Sequence, residues 1–152
     1  MKKLDILVVF DSVGPPPKDQ NFDEEFKKEA WITEVSVIKA LKILGHNTSI
    51  LGAYDNIDLI TDRITGGKPD LVFNLTENFH GMSIYEKNIP ALFELLQVPY
   101  TGSITDGVAL CKNKATSKKI LKYHKIKVPD FQVFRMDSRR KLHKKLKFPA
   151  CR

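Results

Sequence analysis

The sequence predicts an α/β fold, a Rossmann-like parallel sheet flanked by helices. Three observations carry this. β-Type runs recur at residues 4–10, 47–51 and 70–75. Helix-period segments separate them, and strand–helix–strand alternation builds a parallel sheet through crossover connections. The first run, Leu4-Asp5-Ile6-Leu7-Val8-Val9-Phe10, is almost wholly apolar, as a strand covered on both faces must be.

The elements follow in order. Residues 12–22 contain Pro15-Pro16-Pro17 and form a loop, because proline supplies no amide donor and fixes φ. A helix is expected from Asp23 to Leu44, with Val35, Ile38, Leu41 and Ile43 as its apolar stripe and Gly45 as its C-cap. Glu24, Glu25 and Glu29 open it, where negative charge suits the helix dipole. Asn47 to Leu51 is the second strand. Ile57 to Ile64 is a short helix closed by Gly66-Gly67, and Asp70 to Leu75 is the third strand. Ile84 to Leu96 is a helix with Ile89, Leu92, Phe93 and Leu96 on one face, and a short fourth strand follows near residues 99–100. Thr105 to Leu110 and Lys114 to Tyr123 read as helices, Pro129 to Phe134 as a strand, and Ser138 to Leu146 as a helix.

Length and composition bound the function. A chain of 152 residues that is 42% apolar suits one ordinary domain with a real core. No segment approaches the roughly 18 apolar residues of a membrane helix. The apolar run behind Met1-Lys2-Lys3 ends at Phe10, beside Asp11, too soon for a signal peptide. A cytoplasmic protein with no membrane partner is expected. Cys111 and Cys151 have neither metal spacing nor a pairing pattern, so they are expected as free thiols, and no metal site is expected.

The net charge of +7 is unevenly spread. Residues 111–152 hold 15 Lys/Arg against 2 Asp/Glu, and residues 1–110 hold 10 against 16. A basic tail of this kind suits nucleic acid, an anionic membrane or a phosphate-bearing small ligand, or is a solvated helix face. No glycine-rich phosphate motif follows the first strand. Asp11-Ser12-Val13-Gly14-Pro15 is no phosphate cradle, since prolines remove the amides such a loop needs. The more informative stretch is Pro69 to Ser103. Its apolar strand breaks at Asn74 into a polar loop carrying Glu77, His80 and Gly81. Loops at the carboxyl ends of parallel strands are where open α/β sheets bind ligands. Glu77 and His80 there can bind a charged substrate or move a proton, although an ordinary surface loop also carries such a pair. His46, His124 and His143 read as surface residues.

An ordered set of motifs resembles the N-terminal part of the D-alanine–D-alanine ligase family, in the ATP-grasp superfamily. The set is Glu34-Val35-Ser36-Val37, Phe73-Asn74, Glu77 to Gly81, Pro90-Ala91-Leu92-Phe93-Glu94 and Pro99-Tyr100-Thr101-Gly102-Ser103. It continues with Ala109-Leu110-Cys111-Lys112-Asn113-Lys114, Lys125-Ile126-Lys127-Val128-Pro129 and Phe131 to Phe134. It covers most of residues 30–150.

The resemblance implies a ligase that uses ATP and Mg²⁺ to phosphorylate a carboxylate, which an amine then attacks, in peptidoglycan (cell wall) biogenesis. It implies a Rossmann-like substrate domain at residues 1–112. Residues 113–152 would be a linker helix and the truncated beginning of the ATP-grasp domain. It puts Val35, Ser36, Glu77 and His80 at the substrate site and Lys114 against ATP, with Asn113 in place of the usual Asp. The family's catalytic glutamate falls on Ile32, with Glu29 the nearest carboxylate to replace it. Gly14-Pro15-Pro16-Pro17 replaces the glycine-rich loop, so D-alanine need not be the first substrate. The sequence stops one residue before the family's phosphate-gripping lysine would fall, so the chain is expected to be a fragment, inactive alone. The catalytic residues stay unassigned.

The expected partners are a small-molecule amino acid and ATP, and a homodimer is compatible with strands that lack sheet partners. The rival class is a non-catalytic binding module whose basic tail meets nucleic acid or another anion. Only Tyr123, Phe131, Phe134 and Phe148 interleave the tail's lysines, and three of those suit core strands better than base-stacking platforms. That favours the ligase over nucleic acid. Lys118, Lys122 and Lys125 are expected along a solvated face.

Overall fold

The computed structural model describes residues 2–134 and 141–143. The chain divides into two compact units, Met1–Val108 and Ala109–Arg152. The first is an α/β layer structure. Strands β1 (Asp5–Asp11), β2 (Asn47–Ala53) and β3 (Leu71–Asn74) form a parallel sheet in the order β2-β1-β3. β1 pairs along its whole length with β2, from Asp5↔Asn47 to Asp11↔Ala53, and its Ile6–Val9 stretch pairs with β3. The expected fourth strand is a single parallel bridge, Val72↔Tyr100.

The alternation of side chains along β1 explains the layers. Leu7 and Val9 face one side, where they pack with Leu51, Ala53 and Val72, with Ile60 and Ile64 of helix α2 (Ile57–Gly67), and with Ile89 and Phe93 of helix α3 (Asn88–Leu95). Ile6 and Val8 face the other side and pack with Ile38 and Leu41 of helix α1 (Ile32–Ile43). The five central residues of β1 are all buried, so this strand organises both cores. Phe10, at its end, meets Phe22 and Trp31 in a third cluster.

Several expected elements are corrected. The helix expected from Asp23 begins only at Ile32; 3₁₀ turns at Glu25–Lys27 and Glu29–Trp31 precede it. The reason is tertiary. Phe22, Phe26 and Trp31 all turn onto Phe10 or its neighbours, at ring separations of 5.0–6.1 Å, and one straight helix cannot aim all of them at one strand end. Residues 12–31 therefore form a strap anchored by aromatic rings. The second helix runs through Gly66 and Gly67 and stops at Lys68, whose left-handed φ of 42° makes it the C-cap. At its other end, Asn56 accepts from the Asp58 and Leu59 amides, as an N-cap should. His46 is not a plain surface residue, since its Nδ1 accepts the Leu4 amide.

The second unit carries the end of helix α4 (Thr105–Lys112) and helix α5 (Lys114–Tyr123). Asn113 caps α5 by accepting the Thr116 amide. Pro129 to Phe134 form no strand, and residues 141–143 are not helical; the rest of the expected helix at 138–146, and Cys151, lie outside the described residues. Cys111 is a free, exposed thiol. Lys118 is partly buried and Lys122 is exposed, and each has a partner. Both lie over the Phe131 ring, at 5.3 and 5.8 Å, and Lys122 also pairs with Asp130 at 3.1 Å.

Candidate functional site

In the order β2-β1-β3, the chain leaves β1 toward α1 on one face and leaves β3 toward α3 on the other. That reversal opens a crevice beyond the carboxyl ends of β1 and β3, where open α/β sheets take ligands. A cleft of about 620 Å³ lies there, with Asp11 at the end of β1 and Asn74 at the end of β3.

Local chemistry shapes it. The Asn74 side chain accepts from both the backbone and the hydroxyl of Thr76, at 3.2 and 2.8 Å, and bends the chain out of β3. Asp11 then grips the loop. Its carboxylate accepts the Glu77 amide at 2.7 Å and the Asn78 side-chain amide at 3.1 Å, so the two strand ends are tied across the crevice. Thr101 donates its amide to Val72 and accepts the Asn74 amide on its hydroxyl. That lays Pro99–Ser103 beside β3 and delivers Gly102 and Ser103 to the cleft. Ala30, Trp31, Thr33 and Glu34 supply the wall from the strap and the first turn of α1.

The expected site residues divide. Glu77 lines this cleft. His80 lines a smaller recess of about 270 Å³ that shares Asp11 and Val13 with it. His80 and Gly81 hold φ of 55° and 67° at the tip of a tight hairpin closed by the Phe79–Met82 bridge, a turn that needs positive φ at both central positions. Val35 and Ser36 line neither space; their predecessors Thr33 and Glu34 line the larger one. Ile32 is 63% exposed, and Glu29 is absent from the described lining. Lys114 begins α5 in the second unit. Asp11, Trp31, Thr33, Glu34 and Glu86 were not singled out as site residues from sequence. Asp11 had a usable signal, a carboxylate at the carboxyl end of the first strand.

A recess of about 290 Å³ lies at the opposite edge, by Asp5, Asn47 and Arg63. That amino-terminal edge is not where such sheets bind ligands.

Below the cleft, Glu94 of α3 fastens the start of α4. It accepts the Tyr100 hydroxyl at 2.7 Å, and the Thr105 amide and hydroxyl each at 3.2 Å. The Tyr100 bond, then the Thr105 amide, hold the Glu94 carboxyl below its usual value of 4.5. Desolvation and then Glu94 push the Tyr100 hydroxyl up to about 12. A lowered carboxyl pKa stabilises the fold above the ordinary carboxylate range, and that contribution is lost as pH falls through the folded value. The Thr105 amide resonance should therefore follow the Glu94 titration, with a midpoint shifted below that of an ordinary glutamate. An unshifted or raised midpoint would show that the clamp is not formed.

Among the described residues, no group of three or more His, Cys, Asp or Glu side chains converges to hold a metal ion, and no helix is long and apolar enough to cross a membrane.

No protein-family model matches the chain. It is 30% identical over 105 residues to the uncharacterized protein y4sG of Sinorhizobium fredii, covering 66% of this chain and 31% of that protein. It is 33% identical over 102 residues to the D-alanine–D-alanine ligase of Aquifex aeolicus, covering 67% of this chain and 33% of that enzyme. The chain thus spans about a third of the length of these curated relatives. Among solved structures, the D-alanine–D-alanine ligase of Bacillus anthracis complexed with ATP aligns over 88% of this chain and 43% of that one, with a TM-score of 0.56 at 22% identity. A second structure of a ligase from that organism aligns with a TM-score of 0.51 at 19% identity, over 84% of this chain and 37% of that one. The chain is similar in sequence to the N-terminal portion of D-alanine–D-alanine ligases and has their α/β fold.

Proposed function

We propose that this chain is the substrate-side domain of an ATP-dependent carboxylate–amine ligase. The carrying observation is the cleft at the strand-order reversal, walled by Glu34, Glu77, Asn74 and Ser103, in a chain with curated relatives that include D-alanine–D-alanine ligases. The chain's own residues position one reactant. Asp11 holds the Glu77 loop, the strap holds Trp31, and the Pro99–Ser103 segment brings Gly102 and Ser103 to the cleft. A wall fixed before the ligand arrives gives up less entropy on binding. ATP would supply the phosphoryl group that activates the carboxylate, and Lys114 is the residue we assign to the nucleotide. Among the described residues no group of three or more His, Cys, Asp or Glu side chains fits a Mg²⁺ ion. The partners in this reading are an amino acid and ATP, and the setting is the cytoplasm. The engagement of Phe131 by Lys118 and Lys122 removes one ring from base stacking and supports the ligase over a nucleic-acid module.

Phosphate release tests the reading. The 152-residue chain should release none from ATP above background with D-alanine and Mg²⁺. Turnover above roughly one per second would overturn the reading of one domain of a larger site. Substituted for the corresponding portion of a D-alanine–D-alanine ligase, it should give amino-acid-dependent release. Lys114→Ala should then raise the KM for ATP about tenfold or more, as loss of one charge-assisted contact does. An unchanged KM would remove Lys114 from the nucleotide site.

A further inference from the structure

Gly102 and Ser103 line the cleft, yet what holds them there lies outside its lining. Residues 101–104 cross from β3 to α4 as a short arch. The first foot stands on β3. The Val72 amide donates to Pro99 at 2.8 Å, the Thr101 amide donates to Val72 at 2.9 Å, and the Asn74 amide donates to the Thr101 hydroxyl at 3.0 Å. The second foot is Thr105, the first residue of α4. The span between has little support of its own. Gly102 turns through a φ of 107°, and neither Gly102 nor Ser103 makes a hydrogen bond among the described residues. Ser103 rests on the bare Cα of Gly107, where a Cβ would meet its hydroxyl.

One carboxylate ties the two feet together. Glu94 Oε1 accepts both the Tyr100 hydroxyl at 2.7 Å and the Thr105 amide at 3.2 Å, and Oε2 accepts the Thr105 hydroxyl at 3.2 Å. Tyr100 precedes the arch and Thr105 follows it, so Glu94 sets the distance that the arch must span. An arch held before the ligand arrives need not be ordered at the moment of binding, and that ordering would otherwise subtract from affinity. Provided that the cleft is the substrate pocket proposed above, we infer that Glu94 is a positioning residue for the bound amino acid. By joining Tyr100 to Thr105 it holds Gly102 and Ser103 where the ligand meets them.

The experiment titrates the 152-residue chain with D-alanine and with L-alanine, following the backbone amide resonances of Asn74, Glu77, Gly102 and Ser103. At least one of the two amino acids should move all four. Glu94→Ala should weaken that binding about threefold to tenfold, the effect of having to order one or two residues on binding. Glu94→Gln keeps an acceptor for the Tyr100 hydroxyl and the Thr105 amide, and should restore most of the affinity. Glu94 is exposed, so Glu94→Ala opens no cavity. Tyr100→Phe frees one foot with little change of shape and should weaken binding in the same direction. A purely structural role is checked by Ile60→Val, which trims the core under α2 away from the arch and should lower stability without changing affinity. Unchanged affinity in both Glu94→Ala and Tyr100→Phe, or an equal loss in Ile60→Val, would overturn the inference and leave the substrate-pocket reading standing. So would a titration that moves Asn74 and Glu77 but neither Gly102 nor Ser103. No movement of any of the four with either amino acid would overturn both.

Discussion

Phe10→Ala is expected to remove about 3–5 kcal/mol of folding stability, the range for deleting a buried aromatic ring. Phe10 is fully buried and makes edge-on contacts with Phe22 at 5.0 Å and Trp31 at 5.5 Å, plus a tilted one with Phe26 at 5.7 Å. Those three rings are the main apolar anchors of residues 12–31, whose regular structure is two 3₁₀ turns. The segment has little helix ladder to fall back on, so most of its order comes from tertiary contact. Losing Phe10 should leave a cavity and loosen the strap as well. Urea unfolding followed through Trp31 measures the loss, and Trp31 emission in the folded variant should shift red as the ring gains water. A loss below about 1 kcal/mol would mean the cluster closes over the gap and the strap is held by other means.

Legibility from sequence followed the range of the forces involved. Period and burial are local signals, and they located β1, β2, β3, α3 and the two helices at 105–112 and 114–123 to within a few residues. Where a distant partner decides, the sequence misled. Glu24, Glu25 and Glu29 look like a helix start, yet Phe22, Phe26 and Trp31 are drawn to Phe10 and leave only 3₁₀ turns. Likewise Pro129 to Phe134 has strand composition but forms no strand, while Phe131 serves Lys118 and Lys122. The site was legible as a place, because Asn74 marks the strand end and Glu77 follows it. Its opposite wall was not. Which turn of a helix faces a crevice depends on how that helix is docked, and a shift of one or two residues exchanges Val35 and Ser36 for Thr33 and Glu34.

Gly52→Ala is expected to destabilise the fold by about 1–3 kcal/mol, the usual penalty of overpacking a filled core. Gly52 lies in β2, which is an edge of the three-stranded sheet. The strap crosses over it, with Gln20 accepting the Gly52 amide at 2.7 Å and the buried Phe22 ring lying on its Cα. A Cβ at this position would come within 2.9 Å of Phe22 Cε2. The ring has nowhere to retreat, because its other side meets Phe10. Glycine here answers a close approach, and alanine would otherwise gain roughly 0.5–1 kcal/mol in a strand interior. The sign should therefore reverse when the ring is removed. In a Phe22→Ala background, Gly52→Ala should be neutral or stabilising, a coupling of about 1–3 kcal/mol in a double-mutant cycle. Strictly additive effects would mean the strap does not rest on Gly52. The consequence reaches the cleft, because Trp31 belongs to the same aromatic cluster as Phe22 and also forms part of the cleft wall. Displacing Phe22 should shift Trp31 emission and weaken whatever the cleft binds, even though no atom of residue 52 lines it.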